Sequence, residues 1–395
     1  MFRVEVGPAP GRWSGEGEMA RFQIFGLADD LTGALEIGAK FAAAGISAEV
    51  AANGYLQAAK HAAALIVDTE TRHRRPSEAA YIVQRLSEGA RGQGVRLIYK
   101  KTDSTLRGNI GAELRALHAV FPESPLVYVP AYPQMGRTVR NARLFVDGTP
   151  VEETEFSRDP LNPVYESRIP SLLAAQCDTP VHVVAPATVE KIRQPAIYVC
   201  DAEMDADIER AAAGLLKRRG TVVAAGSAAF AGALAKRIDL PRTPALAYPN
   251  VRRCLLINGS LHGRSAEQTE HARANGWDVI TPEDENSGNW LIFSTNSIPE
   301  EGLHRAECVG HIVHSLLNRI EIDALIVFGG DTVFGVLRVL GFPALQPYGE
   351  IVPGVPLARI GLAARELYLI SKAGGFGPVD ILSSIRSLLS GSRAQ

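Results

Sequence analysis

The sequence predicts an α/β protein of two domains, each a mostly parallel sheet flanked by helices, with a β-hairpin arm in the first. Three observations carry this reading. Short apolar runs alternate with amphipathic stretches of helical length, which is the signature of βαβ units. The alternation pauses at Ile238–Asn250, where IDLPRTPALAYPN places three prolines in nine residues, and then restarts. Hydrophobic residues make up 46% of the 395 and charged residues 21%, a globular usage that excludes a disordered, collagenous or coiled-coil chain.

Taken in order, residues 1–19 are rich in Gly and Pro and carry no period, so they read as a flexible tail; Met19 offers a second start. Glu5, Glu16 and Glu18 and the lack of an apolar core argue against a signal or transit peptide there. Phe22–Leu27 reads as a buried strand, and Ala28-Asp29-Asp30 leads from it into an Ala-rich helix ending near Gly45. Ala63–Val67 and Val95–Tyr99 are further strands, the second feeding a polar loop, Lys100–Gly108, and a helix, Asn109–Val120. Leu126–Val129, Val181–Val184, Ile197–Cys200 and Val222–Ala225 continue the series. Ala142–Phe156 breaks it, because β-type runs flank Asp147-Gly148, a strong hairpin signal bracketed by Pro130, Pro133 and Pro160. Beyond the prolines come Leu255–Ile257, Asp278–Ile280, Trp290–Phe293, helix Leu303–Arg319, Leu325–Phe328, Leu367–Ile370 and a last helix from about Pro378 to Leu389. The expected domains are therefore 20–240 and 251–395, joined by a proline-rich linker at 241–250.

A net charge of −2 draws neither nucleic acid nor a lipid surface, and no apolar run is long enough to span a membrane. Cys177, Cys200, Cys254 and Cys308 are scattered without a CxxC, which predicts free thiols in a reducing cytoplasm. The sequence leaves homo-oligomer formation open.

Parallel sheets bind ligands at the carboxyl ends of their strands, so the loops there are the candidate sites. Asp29 and Asp30 stand together at the first strand's end, ahead of Thr32 and Gly33; the plain alternative is helix capping by Asp30 or Thr32. Lys100–Asn109 gathers Lys101, Asp103, Ser104 and Arg107, a mixture suited to gripping a carboxylate and a hydroxyl, with a solvated loop as the alternative. The second domain has three glycine loops after strands: Asn258-Gly259-Ser260, Gly329-Gly330-Asp331-Thr332 and Lys372-Ala373-Gly374-Gly375-Phe376-Gly377. Backbone N–H groups at such loops cradle phosphates, which points to a nucleotide, although neither GxxxxGK[ST] nor GxGxxG occurs. His311 and His314 read as surface histidines, Gly226-Ser227 as a helix N-cap, and Arg72, Arg74 and Arg75 as a solvated turn that could touch a ligand.

These motifs together resemble the four-carbon acid sugar kinase family. The likeness rests on ADDLTGA (28–34), KTDSTLRGNIGAEL (101–114), GGDT (329–332) and KAGGFG (372–377), with PAYPQMGR (130–137), DGTPVEETEFSRDP (147–160) and GEIVPGVP (349–356) between them. The segment after Ser260, LHGRSAEQTEHA, matches only loosely. The resemblance implies an ATP- and Mg²⁺-dependent kinase that phosphorylates the terminal hydroxyl of threonate, erythronate or 3-oxo-tetronate. It implies a sugar-binding set of Asp29, Lys101, Ser104 and Arg107, with Asp30 or Asp103 as the proton acceptor. It places ATP on Ser260, Gly329, Gly330, Asp331, Thr332, Gly374 and Gly375, with Asp331 organising the metal. Two other classes remain: a nucleotide-dependent oxidoreductase, disfavoured by the missing dinucleotide fingerprint, and a non-catalytic two-lobed small-molecule binder, which would not need glycine loops in one lobe alone.

Overall fold

The computed structural model describes residues 22–52, 62–159, 161–244, 246–284, 288–295, 298, 302–342, 344–361 and 366–391. The tail expected at 1–19 and the bracketing Pro160 lie outside the described residues. The chain divides into two compact units, Met1–Thr243 and Pro244–Gln395.

In the first unit β1 (Ile24–Ala28), α1 (Leu31–Ala43), β2 (Ala48–Ala51), β3 (Ala64–Asp68), α2 (Pro76–Gly92), β4 (Leu97–Lys101), α3 (Ile110–Val120) and β5 (Leu126–Val129) follow one another. Then come β6 (Arg137–Arg140), β7 (Arg143–Val146), β8 (Thr149–Pro150), α4 (Ile169–Ala174), β9 (Val181–Val184), β10 (Ile197–Cys200), α5 (Asp205–Leu216), β11 (Val222–Gly226) and α6 (Ala228–Arg237). The main sheet is parallel throughout, in the order β2-β3-β1-β4-β11-β5-β10-β9. Every residue of β1, β3, β4 and β11 is buried, so these strands read as apolar runs instead of alternating. That burial corrects one expectation: Lys100 and Lys101 finish strand β4 and do not belong to a solvated loop.

β6, β7 and β8 form the separate antiparallel arm. Asp147 (φ 49°) and Gly148 (φ 84°) make the β7–β8 turn that the Asp-Gly pair announces. A second tight turn, Asn141 (φ 51°) and Ala142 (φ 55°), joins β6 to β7 without any glycine. A positive φ is costly for alanine. The Asp201 carboxylate holds it there, accepting from Asn141 N at 2.9 Å and Ala142 N at 2.8 Å. The arm is thereby fixed to the strand end after β10.

In the second unit β12 (Cys254–Asn258), α7 (Gly263–Ala274), β13 (Asp278–Ile280), β14 (Trp290–Ser294), α8 (Gly302–Arg319), β15 (Ala324–Phe328) and α9 (Gly330–Leu340) precede β16 (Ala344–Val352), β17 (Val355–Gly361), β18 (Glu366–Lys372) and α10 (Ile381–Leu389). Strands β13-β14-β12-β15-β18 are parallel, while β17 pairs antiparallel with β18 and β16 antiparallel with β17. The core packs Leu256, Ile326 and Ile370 with Trp277, Trp290 and the apolar face of α10. Each fully buried aliphatic contributes about 1.5–3 kcal/mol. The proline-rich segment is anchored as well as extended: Thr243 N donates to Gly45 O at 2.7 Å, and Tyr248 Oη to Glu350 O at 2.8 Å. Among the described residues no helix is long and apolar enough to cross a membrane.

Candidate active site

Strands β3, β1 and β4 are neighbours in register, so their carboxyl ends deliver Asp68, Asp29 and the Lys101–Arg107 segment to one edge. Arg72, four residues past β3, reaches across that edge. Its Nε lies 2.7 Å from Asp29 Oδ2, its Nη1 2.7 Å from Asp30 Oδ2, and its Nη2 3.6 Å from Asp103 Oδ2. The sequence-level assignment of Arg72 to a solvated turn is therefore wrong, whereas Arg74 and Arg75 beside it are exposed. Burial among carboxylates is affordable for a guanidinium because its planar donors satisfy several oxygens at once.

Asp30 occupies the N-cap of α1, and its Oδ1 accepts from Gly33 N at 2.8 Å. It is a cap and an ion-pair partner together. A Cβ on Gly33 would lie 2.7 Å from that oxygen and 3.1 Å from Lys101 Nζ, so glycine lets both groups close in. Lys101 Nζ pairs with Glu36 at 3.4 Å. Beneath them Lys100 Nζ meets Glu113 at 3.0 Å with both side chains buried, and Thr71 donates to the same carboxylate.

Asp103 organises the following loop. Its Oδ1 accepts from Thr105 N at 2.9 Å, from the Thr105 hydroxyl, and from Arg107 Nε at 3.1 Å. Its Oδ2 takes Arg107 Nη2 at 2.8 Å, and Arg107 Nη1 continues to Asp159 at 3.1 Å. These bonds hold Leu106 at φ 67°, a strained position for a leucine. Ser104 is half-buried alongside and makes no side-chain hydrogen bond among the described residues.

The charges sort accordingly. Burial alone would raise Asp103, but Arg107 and Arg72 hold it well below the usual carboxylate range. Asp29 is likewise held low, with burial outweighed by Arg72, Lys100 and Lys101. Burial pushes Asp68 well up, reinforced by Glu70, and Glu70 rises to about 7 through burial and the charge of Asp30.

The second unit uses other materials. The loops after β12, β15 and β18, three adjacent strands, run into one another. A Cβ on Gly259 would collide with the Thr332 hydroxyl, and one on Gly374 with the Ser260 hydroxyl. A Cβ on Gly375 would lie 2.7 Å from His262 Nε2. Gly329 sits at φ 101° as the N-cap of α9 and places its amide on Lys372 O at 3.0 Å. Thus Ser260, Gly329, Thr332, Gly374 and Gly375 gather; Asp331 is exposed in the first turn of α9.

Lys372 shapes the last loop from below. Its Nζ donates to Ala373 O at 2.9 Å, Gly374 O at 2.8 Å and Phe376 O at 3.0 Å, and lies 4.2 Å from the Phe328 ring centre. Ser265 Oγ donates to Gly374 O at 2.6 Å, and Gln268 Nε2 to Phe376 O at 2.9 Å. In a trans peptide the N–H points opposite to the preceding carbonyl. With the carbonyls of 373, 374 and 376 drawn toward Lys372 and α7, the N–H groups of Gly374, Gly375 and Gly377 face the other way. N–H groups turned this way are the kind of donors that an anion takes up. Burial, aided by Arg264, pulls Lys372 down to about 7.

Sequence reasoning missed Glu70, Lys372, His262 and the central part of Arg72. The other tempting groups resolve plainly. His311 and His314 are exposed on α8. Ser227 holds the N-cap position of α6, yet its Oγ donates to Ala131 O at 2.6 Å and caps nothing.

Residues 24–234 match the family described as a sugar-binding N-terminal domain, and residues 279–382 match the nucleotide-binding C-terminal domain. The chain is 32% identical to a D-threonate kinase of Bordetella bronchiseptica, over 90% of this chain and 95% of that one. It is 26% identical to a 3-oxo-tetronate kinase of Methylobacterium radiotolerans, over 90% and 96%. A D-erythronate kinase of Heliobacterium modesticaldum is also 26% identical, over 90% and 94%. The fold is shared with a crystal structure of a Haemophilus influenzae protein at a TM-score of 0.71 and 21% identity, covering 92% of this chain and 100% of that one.

Proposed function

The chain belongs to the four-carbon acid sugar kinase family, and on that premise we propose that it transfers the γ-phosphoryl group of ATP to the terminal hydroxyl of threonate, erythronate or 3-oxo-tetronate. The observation that carries the nucleotide half is the hold of Lys372 on the Ala373, Gly374 and Phe376 carbonyls, which turns the N–H groups of Gly374, Gly375 and Gly377 away from it. It supports a polyphosphate ligand, as does the N-terminus of α9 beside it in the sheet order.

Phosphoryl transfer asks the protein for alignment and neutralised charge more than for covalent chemistry. The three glycine N–H groups and the Ser260 and Thr332 hydroxyls would hold phosphate oxygens. Among the described residues no group of three or more His, Cys, Asp or Glu gathers around a metal position. Asp331, exposed in the first turn of α9, would hold a divalent cation together with substrate phosphates. Mg²⁺ there would neutralise charge on the phosphate oxygens.

In the first unit, Asp29, Lys101, Ser104 and Arg107 surround the acid sugar in this reading, with Ser104 free to meet a hydroxyl. What supports Asp30 over Asp103 as proton acceptor is the load each carries. Both Asp103 oxygens are bonded to Arg107, and its carboxyl is held well below the usual range, which makes it a weak base. Asp103 is better suited to position the loop. The Asp30 side chain is 20% exposed, against 8% for Asp103, and only one oxygen faces Arg72.

The test is ADP release from Mg-ATP over the stereoisomers of four-carbon aldonates and 3-oxo-tetronates. Turnover of at least one acid is expected. Reduction of NAD(P)⁺ instead, or ligand binding with no ADP formed, would return the oxidoreductase or the binding-protein reading.

A further inference from the structure

A sugar acid arrives as an anion, and at the first unit's edge it meets more carboxylates than cations. The cations offered by the sequence are already committed. Arg72 faces three carboxylates, Arg107 is shared between Asp103 and Asp159, Lys101 pairs with Glu36, and Lys100 with Glu113. Each can turn toward a new anion only by giving up a partner already in place.

Arg137 is different. It opens the arm at the start of β6, just past the end of β5, and its backbone is locked by a two-way exchange with Tyr132. Tyr132 N donates to Arg137 O at 2.7 Å, and Arg137 N to Tyr132 O at 3.1 Å. Its Nη1 donates to the Met135 carbonyl, a neutral partner. Among the described residues its buried Nε has no hydrogen-bond partner, and no carboxylate lies within ion-pairing distance of the guanidinium. The charges that act on it do so from farther off: Asp147, Asp103 and Glu155, opposed by Arg107. A partly buried guanidinium without a counter-ion, its Nε–Nη2 edge unused, is costly unless a ligand supplies the anion. A carboxylate fits that edge side-on, through two parallel bonds.

We propose that Arg137 is the carboxylate anchor of the acid-sugar site, binding the substrate's carboxylate through Nε and Nη2. This rests on the acid-sugar kinase reading. It makes the arm, fixed at its other turn by Asp201, a carrier of substrate specificity: a four-carbon acid satisfies Arg137 and a neutral polyol of the same length does not. Arg107 and Lys101 then contact hydroxyls or hold the frame.

The experiment compares wild type, Arg137→Gln and Arg137→Lys. With the turned-over acid varied at saturating ATP, Arg137→Gln should raise the acid KM about 10- to 100-fold, the worth of a charge-assisted hydrogen bond. The KM for ATP should move less than about twofold. Arg137→Lys, a point charge without the fork, should recover part of the loss. Threitol and erythritol, tested as acceptors, should lose nothing in Arg137→Gln. An unchanged acid KM, or an equal loss for acid and polyol, overturns the anchor. Melting temperatures of all three proteins with D-threonate, D-erythronate and citrate give a readout that needs no turnover. If no four-carbon acid is phosphorylated the kinase reading fails, yet a carboxylate that stabilises wild type and not a folded Arg137→Gln still supports the anchor. If Arg137→Gln does not fold, the Arg137→Lys comparison decides: acid affinity equal to wild type overturns the proposal.

Discussion

At the carboxyl edge of the first unit, Arg72 touches Asp29, Asp30 and Asp103 within 3.6 Å, and most side chains that matter are charged. At the same edge of the second, the residues that meet are glycine, serine and threonine, and the buried charge, Lys372, sits behind the loop holding its carbonyls. Both arrangements grow from strand–loop–helix repeats of a parallel sheet, so the difference lies in the loops. A small acid with several hydroxyls is distinguished by donors and acceptors at fixed points, which side chains supply. A phosphate chain is bulky, anionic and nearly symmetrical, so backbone N–H groups serve it, provided nothing projects between. Removing charge should therefore damage the first site, and adding bulk the second.

The largest effect is expected from Asp30→Asn. Asn caps a helix about as well as Asp, and Arg72 keeps Asp29 and Asp103 as counter-charges when the Asp30 charge is lost, so α1 should persist and the melting temperature should fall little. Proton acceptance is lost, and kcat should drop about 10²- to 10⁴-fold with the acid KM nearly unchanged. More than a tenth of wild-type kcat would remove Asp30 from the chemistry and leave it as a cap. Collapse of the melting temperature would make it structural.

The converse operation in the second unit is Gly374→Val. Its Cβ would collide with the Ser260 hydroxyl and lie 3.3 Å from His262 Cβ, so the loop would have to shift. The KM for ATP should rise by about tenfold or more, the size of one or two lost phosphate hydrogen bonds, while the acid KM holds. Equal rises for both substrates would break the comparison.

The smallest effect concerns pH. Lys372 at about 7 lies far below its ordinary 10.5, so the ammonium loses its proton as pH rises through neutrality. The neutral amine keeps two donors for three carbonyls and no longer attracts phosphate. Bound phosphate favours the protonated form, so by linkage ATP binds better at low pH. The KM for ATP should climb a few-fold between about pH 6 and 8, and Lys372→Met should flatten that climb relative to wild type. A profile identical in both proteins would assign the titration to the nucleotide or another group.

Much of the fold was legible. β5 and β10 coincide with the apolar runs that announce them, because buried strands of a parallel sheet need nothing but apolar, β-favouring residues; β9 and β13 match their runs as well, although most of their residues are not buried. β16 was not legible, since Pro347 and Gly349 interrupt it and its register shifts at that point. Asp29, Asp103 and the glycine loops could be picked out as candidates because they stand at strand ends, where parallel sheets bind ligands. Arg137 could not, for within PAYPQMGR it looks like any other arm residue.

What the sequence determined by itself is local: the alternation of strand and helix, the Asp147-Gly148 turn, an α1 cap at Asp30 or Thr32, and glycine after β12, β15 and β18. These depend on neighbours a few residues apart, so pattern and propensity encode them. Which charges are engaged was settled by tertiary structure alone. Arg72 meets Asp29 across 43 positions, and Ser265 meets the Gly374 carbonyl across 109. Contacts of that span leave no period in the chain. Whether an arginine ends among three carboxylates or waits with an open edge depends on what the folded sheet brings beside it and how much water it excludes.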